Sequence, residues 1–251
     1  MFKGLERLVL RVVRRFRSAR KNLTSRRLHI VWSGSEGLGG ATGDRSPTGG
    51  RRLVALTFDD GPSAWTEQIL DIFAEQRVRA TFFVLGAAIP GREETVRRMR
   101  SEGHEIGNHL FSHRDAAELT ADEITAEITQ TGRLIRGIVG YAPVLVRPPY
   151  CSAPEAVARA ARRVGSLTTV LRSVDPADWR QSDPDQIVDG VLEKLHDGAI
   201  VCLHDGESPD GEGLASRDAT VAAVAMLIPR LTAEGYRPVT VSEVLRGTAR
   251  R

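Results

Sequence analysis

The sequence predicts an α/β protein with a parallel sheet covered by helices. Two observations carry this. From residue 53 onward, short strand-like apolar runs alternate with longer stretches at helical spacing. The chain has 251 residues, 41% hydrophobic and 27% charged, enough for one large soluble domain and short for two. There is no internal repeat. Strand-helix-strand alternation demands a parallel sheet, which either closes into a barrel or stays open and doubly wound. Both leave the functional site at the C-terminal ends of the strands.

In chain order, Val54–Phe58 reads as a buried strand that Gly61-Pro62 ends, and Ala64–Gln76 as the helix after it. Ala80–Leu85 is strand-like, Arg92–Ser101 helical and Glu105–Asn108 a short strand. Ala121–Ile138 reads as a long helix with Ile124, Ile128, Leu134 and Ile135 near helical spacing. Strands are expected at Val144–Arg147, Ser166–Leu171 and Ala199–Leu203, with helices at Pro154–Arg163, Pro184–Leu195 and Ala219–Ala233. Val239–Val241 reads as a last short strand.

The first fifty residues differ in kind. Residues 1–52 hold 13 Lys/Arg against three acids, or +10, so a total of +3 leaves −7 on residues 53–251. The body has no basic excess to follow phosphates, which argues against a nucleic-acid partner. Phe2, Leu5, Val9, Val12 and Phe16 recur at 3-4-3-4 spacing with Arg7, Arg11 and Arg14 opposite. That is a basic amphipathic helix, suited to peripheral contact with an anionic membrane through residues 2–17. Arginines interrupt every apolar run, so neither a secretory signal nor a transmembrane span is read there, and the expected location is cytoplasmic or peripheral at the membrane. The division expected is a basic segment over 1–30, a Gly/Ser-rich linker over 31–52 and a catalytic domain over 53–247. Two cysteines make no disulfide framework, and Cys151 and Cys202 are read as free thiols.

The chemistry begins at Thr57-Phe58-Asp59-Asp60-Gly61-Pro62. Two acids at the end of a buried strand repel and lose hydration unless a cation or donor compensates them. His109 and His113, at i and i+4, are read as lying on one face of a helical turn, a spacing that chelates one metal ion. One Asp and two His leave zinc with an open position, the pattern of a hydrolytic site, and the remaining Asp is free to accept a proton.

With these two runs the sequence resembles the polysaccharide deacetylases, carbohydrate esterase family 4, whose catalytic unit is the NodB homology domain. Three more blocks follow in that family's order: Arg147-Pro148-Pro149-Tyr150, Asp175-Pro176-Ala177-Asp178-Trp179 and Ile200-Val201-Cys202-Leu203-His204-Asp205. The resemblance covers roughly Leu53 to Arg246 and implies a distorted, incomplete (β/α) barrel. It implies that Asp60, His109 and His113 hold one divalent metal, most suitably zinc, with Asp59 as general base. Arg147, aimed by Pro148-Pro149, would pair with Asp59, and the Tyr150 backbone N–H would donate to the oxyanion. His204 would be the general acid and Asp175 the carboxylate that holds its imidazole. Leu203 would line a pocket for the acetyl methyl and Trp179 one wall of a sugar groove, with Asp178 an exposed turn residue. The family usually places a Gly where Cys151 stands, which bears on how far substrate reaches. His29, His104 and His196 are given no role.

The implied activity is hydrolysis of an N-acetyl group from an amino sugar in peptidoglycan, a chitin-type oligosaccharide or a glycoconjugate, with release of acetate. Two other readings are an intracellular deacylase of a small N-acylated metabolite and a catalytically silent sugar-binding protein.

Overall fold

The computed structural model describes residues 30–32, 52–211 and 213–249. The proposed amphipathic segment at 2–17 and nearly all of the expected linker lie outside the described residues. The elements are β1 (Ile30–Val31), β2 (Arg52–Asp59), α1 (Ala64–Gln76), β3 (Thr81–Val84), α2 (Glu93–Ser101) and β4 (Glu105–Asn108). They continue with α3 (Ala121–Val139), β5 (Leu145–Val146), α4 (Pro154–Val164), β6 (Thr168–Val170) and α5 (Pro184–Leu192). The last are β7 (Ala199–His204), α6 (Asp218–Ala233), β8 (Tyr236–Val239) and α7 (Val241–Ala249).

The strands run in the order β1-β6-β5-β4-β3-β2-β7, with β8 beside the start of β2, and every pairing is parallel. Past β6 the chain swings round so that Val174 bridges Val201 of β7, with Cys202 N–H donating to the Val174 carbonyl. That contact brings the ends of the sheet together without a full ladder. The alternation left barrel and open sheet undecided; the result is a distorted, incomplete barrel.

β2 is buried along almost its whole length, as a central parallel strand must be. Leu56, Phe58, Phe73 and Phe82 pack between sheet and helices, with the rings of Phe58 and Phe82 stacked at 5.2 Å. Local signals set the helix ends. Ser63 and Thr66 make a capping box at the start of α1, and Thr120 and Glu123 make another at α3, which Gly140 ends in a left-handed turn. His104 is buried against Phe73 and Phe82 and accepts the Ala80 N–H, a core role.

Three expectations give way. The last strand lies at Tyr236–Val239, while Val241 opens α7, a helix the sequence pattern did not suggest. Its capping signal is Thr240, whose hydroxyl accepts the Glu243 N–H while the Glu243 carboxylate accepts the Thr240 N–H. Ile30–Val31, set at the tail–linker boundary, pairs with β6 through Ile30↔Thr169 and Val31↔Val170. A two-residue strand is too short to show a period in sequence. The His109–His113 segment is not helical. Leu110 and His113 both have φ of 62°, and the chain loops instead of coiling.

Candidate active site

Five strand ends converge on one cavity, and the register of the sheet decides what meets there. β2 and β7 pair with Asp59 opposite His204 and Thr57 opposite Cys202, so the last residues of two neighbouring strands face each other. The turns that follow pack so closely that a side chain at Gly61 would strike the Asp205 carboxylate and one at Gly206 the Asp60 carbonyl. Asp205 is buried and accepts hydrogen bonds from Gly61 N–H at 3.1 Å and Thr66 Oγ1 at 2.6 Å, tying the two turns together.

Asp60 leaves β2 with φ of 77°, which aims its carboxylate at the loop after β4. Its Oδ1 lies 3.3 Å from His109 Nε2 and 3.1 Å from His113 Nε2. His109 Nδ1 is 2.8 Å from the Arg147 carbonyl, which fixes Nδ1 as the protonated nitrogen and leaves Nε2 with a lone pair. His113 Nδ1 meets Ser208 Oγ at 3.3 Å. Asp60 Oδ1 is buried with no hydrogen-bond partner, between two imidazole nitrogens whose other ring atoms are engaged. An orphaned anionic oxygen facing two nitrogen lone pairs is what a divalent cation would satisfy, and the Asp-His-His donor set fits one.

Sequence reasoning missed how the histidine loop is held. Glu127 of α3 accepts the Phe111 and Ser112 N–H groups, each at 2.8 Å, and the Ser112 hydroxyl at 2.7 Å. Asn108 Oδ1 accepts the Leu110 N–H, and Thr131 Oγ1 donates to the Leu110 carbonyl. A carboxylate sixteen residues downstream thus replaces the helical bonds this loop lacks.

Arg147 is fully buried at the end of β5, with Nη1 2.8 Å from Asp59 Oδ1 and 2.7 Å from Thr57 Oγ1. Nη2 donates to the Leu171 carbonyl, and the guanidinium lies 4.1 Å over the Phe83 ring. Burial acts to raise the Asp59 carboxyl, but Arg147 beside it, with His109 and His204, outweighs that and holds it below the usual carboxylate range. The next turn carries Tyr150 and Cys151 at φ of 56° and 53°, left-handed values that favour Gly and give a physical reason for the family's Gly at the second position. Tyr150 stays partly exposed with its ring 4.9 Å from that of His113, and Cys151 lines the cavity.

Three sequence expectations are corrected here. Asp175 does not hold His204: it pairs with Arg172 at 2.6 Å and accepts the Ala177 N–H. Asp178, read as an exposed turn residue, is buried, and its Oδ1 lies 2.8 Å from His204 Nδ1. The cause is the turn at Ala177, whose φ of 57° swings the chain back towards β7. Burial acts to lower the His204 pKa, but the Asp178 charge and hydrogen bond, with Asp60 and Asp59 nearby, carry it up to about 9. Leu203 is also misplaced. Side chains alternate along a strand, so with His204 in the cavity Leu203 points into the core, and Cys202 lines the site instead. Trp179 borders the cavity, its carbonyl accepting the Leu214 N–H.

The comparisons agree with this geometry. The model of the polysaccharide deacetylase family matches residues 46–168. A chitooligosaccharide deacetylase of Bradyrhizobium sp. (strain ANU 289) is 41% identical over 193 residues, spanning 74% of this chain and 88% of that protein. The chain belongs to the polysaccharide deacetylase family. A peptidoglycan-N-acetylglucosamine deacetylase of Bacillus cereus is 37% identical over 198 residues, 78% of this chain and 89% of that protein. The solved structure of peptidoglycan deacetylase PdaC from Bacillus subtilis superposes with a TM-score of 0.70 at 36% identity, covering 80% of this chain and 92% of that one. Among the described residues, no helix is long and apolar enough to cross a membrane.

Proposed function

We propose that this polysaccharide deacetylase removes the N-acetyl group from an amino sugar of a chitin-type oligosaccharide, peptidoglycan or glycoconjugate, releasing acetate. One observation carries the reading. A carboxylate held by an arginine and an imidazole held by a carboxylate face each other beside the Asp60–His109–His113 cluster. Asp60, His109 and His113 would hold one divalent ion, and zinc suits this mixed carboxylate and imidazole set. When bound, that ion supplies Lewis acidity at the amide carbonyl.

The chain's own groups do the rest. Asp59, kept ionised by Arg147, accepts the proton of the water that attacks the acetyl carbon. The Tyr150 backbone N–H donates to the oxygen of the tetrahedral intermediate. His204, protonated at neutral pH because of Asp178, gives its Nε2 proton to the departing amine, and the C–N bond breaks. Arg147 and Asp178 touch no reacting atom and act as positioning residues. Trp179 offers one face to the sugar ring, and Cys202 stands on the floor of the cavity in the place expected of Leu203. The test is mass-spectrometric detection of the free amino sugar and acetate after zinc-loaded protein meets N-acetylated oligosaccharides, polymers and glycoconjugates. Bound but unchanged sugar would support the silent binding protein instead.

A further inference from the structure

Cys202 brings a soft ligand into a site otherwise made of nitrogen and oxygen. It is buried, lines the cavity and lies with its Sγ 3.4 Å from Asp59 Oδ2. His204, two residues further along the same strand face, has Nδ1 engaged by Asp178, which leaves Nε2 as its available nitrogen. One ligand atom each from Asp59, Cys202 and His204 lies within 4.8 Å of the others. We propose that Asp59, Cys202 and His204 form a second metal site, selective for a thiophilic divalent cation such as cadmium or excess zinc, whose occupation inhibits the enzyme.

The geometry suits such an ion. With zinc's bonds of about 2.3 Å to sulfur and about 2.1 Å to oxygen, a tetrahedral zinc centre separates those two donors by about 3.6 Å. The present Sγ–Oδ2 separation of 3.4 Å needs almost no adjustment. Arg147 engages Oδ1 of Asp59 and leaves Oδ2 to the ion, while Asp178 behind His204 makes the carboxylate–histidine pair that orients metal-ligating imidazoles. Asp59 Oδ2 is also 4.0 Å from His109 Nε2, so the second site adjoins the first across Asp59.

Burial keeps the thiol protonated in the resting site, where it donates to Asp59. Metal binding replaces the S–H bond by a sulfur–metal bond. The thiol proton, and the Nε2 proton of a charged His204, pass to solvent, and nothing is oxidised or reduced. Arg147 Nη1, 3.8 Å from Sγ, faces the thiolate charge. A thiolate, an imidazole and a carboxylate together favour soft and borderline cations over magnesium or calcium. Only the inhibition rests on the proposed deacetylation, because the ion would occupy the lone pairs that Asp59 and His204 need for proton transfer.

Protein holding one zinc per chain is titrated with cadmium chloride. Bound zinc and cadmium are counted by elemental analysis, and thiolate-to-cadmium charge transfer is followed in the ultraviolet. The expected result is retained zinc plus one cadmium, an ultraviolet band, and acetate release that falls as the band grows. Cys202→Val and Cys202→Ala should each keep one zinc, which reports an intact fold, and lose both band and cadmium. Cys151→Ala, which removes the other thiol of the cavity, should keep both. Zinc displaced by cadmium without a thiolate band, or a band that survives in the Cys202 variants, overturns the proposal. An enzyme without acetate release from any substrate, yet with the Cys202-dependent band, leaves the metal site standing and sinks the deacetylase reading.

Discussion

Asp178 holds His204 with both carboxylate oxygens: Oδ1 lies 2.8 Å from Nδ1, and Oδ2 accepts the His204 backbone N–H at 2.8 Å. Thr220 Oγ1 also donates to Oδ2, so a third element fixes the carboxylate. The imidazole therefore has one orientation, with Nε2 carrying the proton it can give.

The first prediction follows from that pair. His204 is raised to about 9, so its proton-donating form persists through neutrality and is lost as pH rises through that range. A bound divalent ion acts on His204 in the opposite sense and moves the alkaline limb of kcat/KM down, but the contribution of Asp178 remains. Asp178→Asn is expected to move that limb to lower pH with zinc retained, and a tenfold loss of proton affinity at His204 corresponds to about 1.4 kcal/mol of lost interaction. Asp175→Asn, which breaks the ion pair with Arg172 but keeps an oxygen to accept the Ala177 N–H, should leave the limb where it is. A limb that moves in Asp175→Asn and not in Asp178→Asn would reverse the pairing.

The second concerns the base. Asp59→Asn keeps the shape of the side chain and its contact with Arg147 but cannot accept a proton. Turnover should fall by ~10²–10⁴-fold while elemental analysis still finds one metal per chain. Activity within a few-fold of the parent would remove Asp59 from that role.

The parallel sheet, every helix but the last and the convergence of five motifs on strand ends were legible because each is written in local sequence: apolar runs, helical spacing, Gly-Pro punctuation. What was not legible depends on how short segments turn. Nothing in Asp175-Pro176-Ala177-Asp178 says which carboxylate faces β7 until Ala177 takes a left-handed conformation. The i, i+4 spacing of His109 and His113 suggested a helix, and a loop with two positive-φ residues brings the same two nitrogens to Asp60. The pairing of Ile30–Val31 with β6 spans well over a hundred residues and left no local trace. Leu203 is a different case, since strand alternation from His204 already pointed to Cys202.

The third prediction tests the support of the metal ligands. Glu127 supplies both oxygens to the backbone and hydroxyl of the loop between His109 and His113. Glu127→Ala should weaken metal binding by ~10–100-fold, as loss of a group supporting the ligands typically does. His113→Ala should abolish it. Competition with a chelator of known affinity measures both, and Glu127→Gln, which retains one acceptor, should fall between parent and Glu127→Ala. Unchanged affinity in Glu127→Ala would mean that the loop holds its shape without the carboxylate.

The last prediction concerns residues 2–17, whose apolar stripe of Phe2, Leu5, Val9, Val12 and Phe16 and opposing arginines suit them to a membrane surface. Such binding combines apolar burial with attraction between basic side chains and anionic headgroups. Salt screens the second part within ~10 Å at 0.1 M, so it weakens as ionic strength rises. The folded body, at −7 over residues 53–251, should be repelled by the same surface and add nothing. The full chain is therefore expected to sediment with vesicles rich in anionic lipid, to be released by salt and to ignore neutral vesicles. A chain lacking residues 1–20, which keeps β1, should stay in the supernatant under all three conditions. A Val9→Glu substitution places a charge in the apolar stripe while leaving every arginine in place, so it separates insertion from charge attraction alone. If that variant and the shortened chain bind as well as the full chain, the basic segment is not the membrane contact.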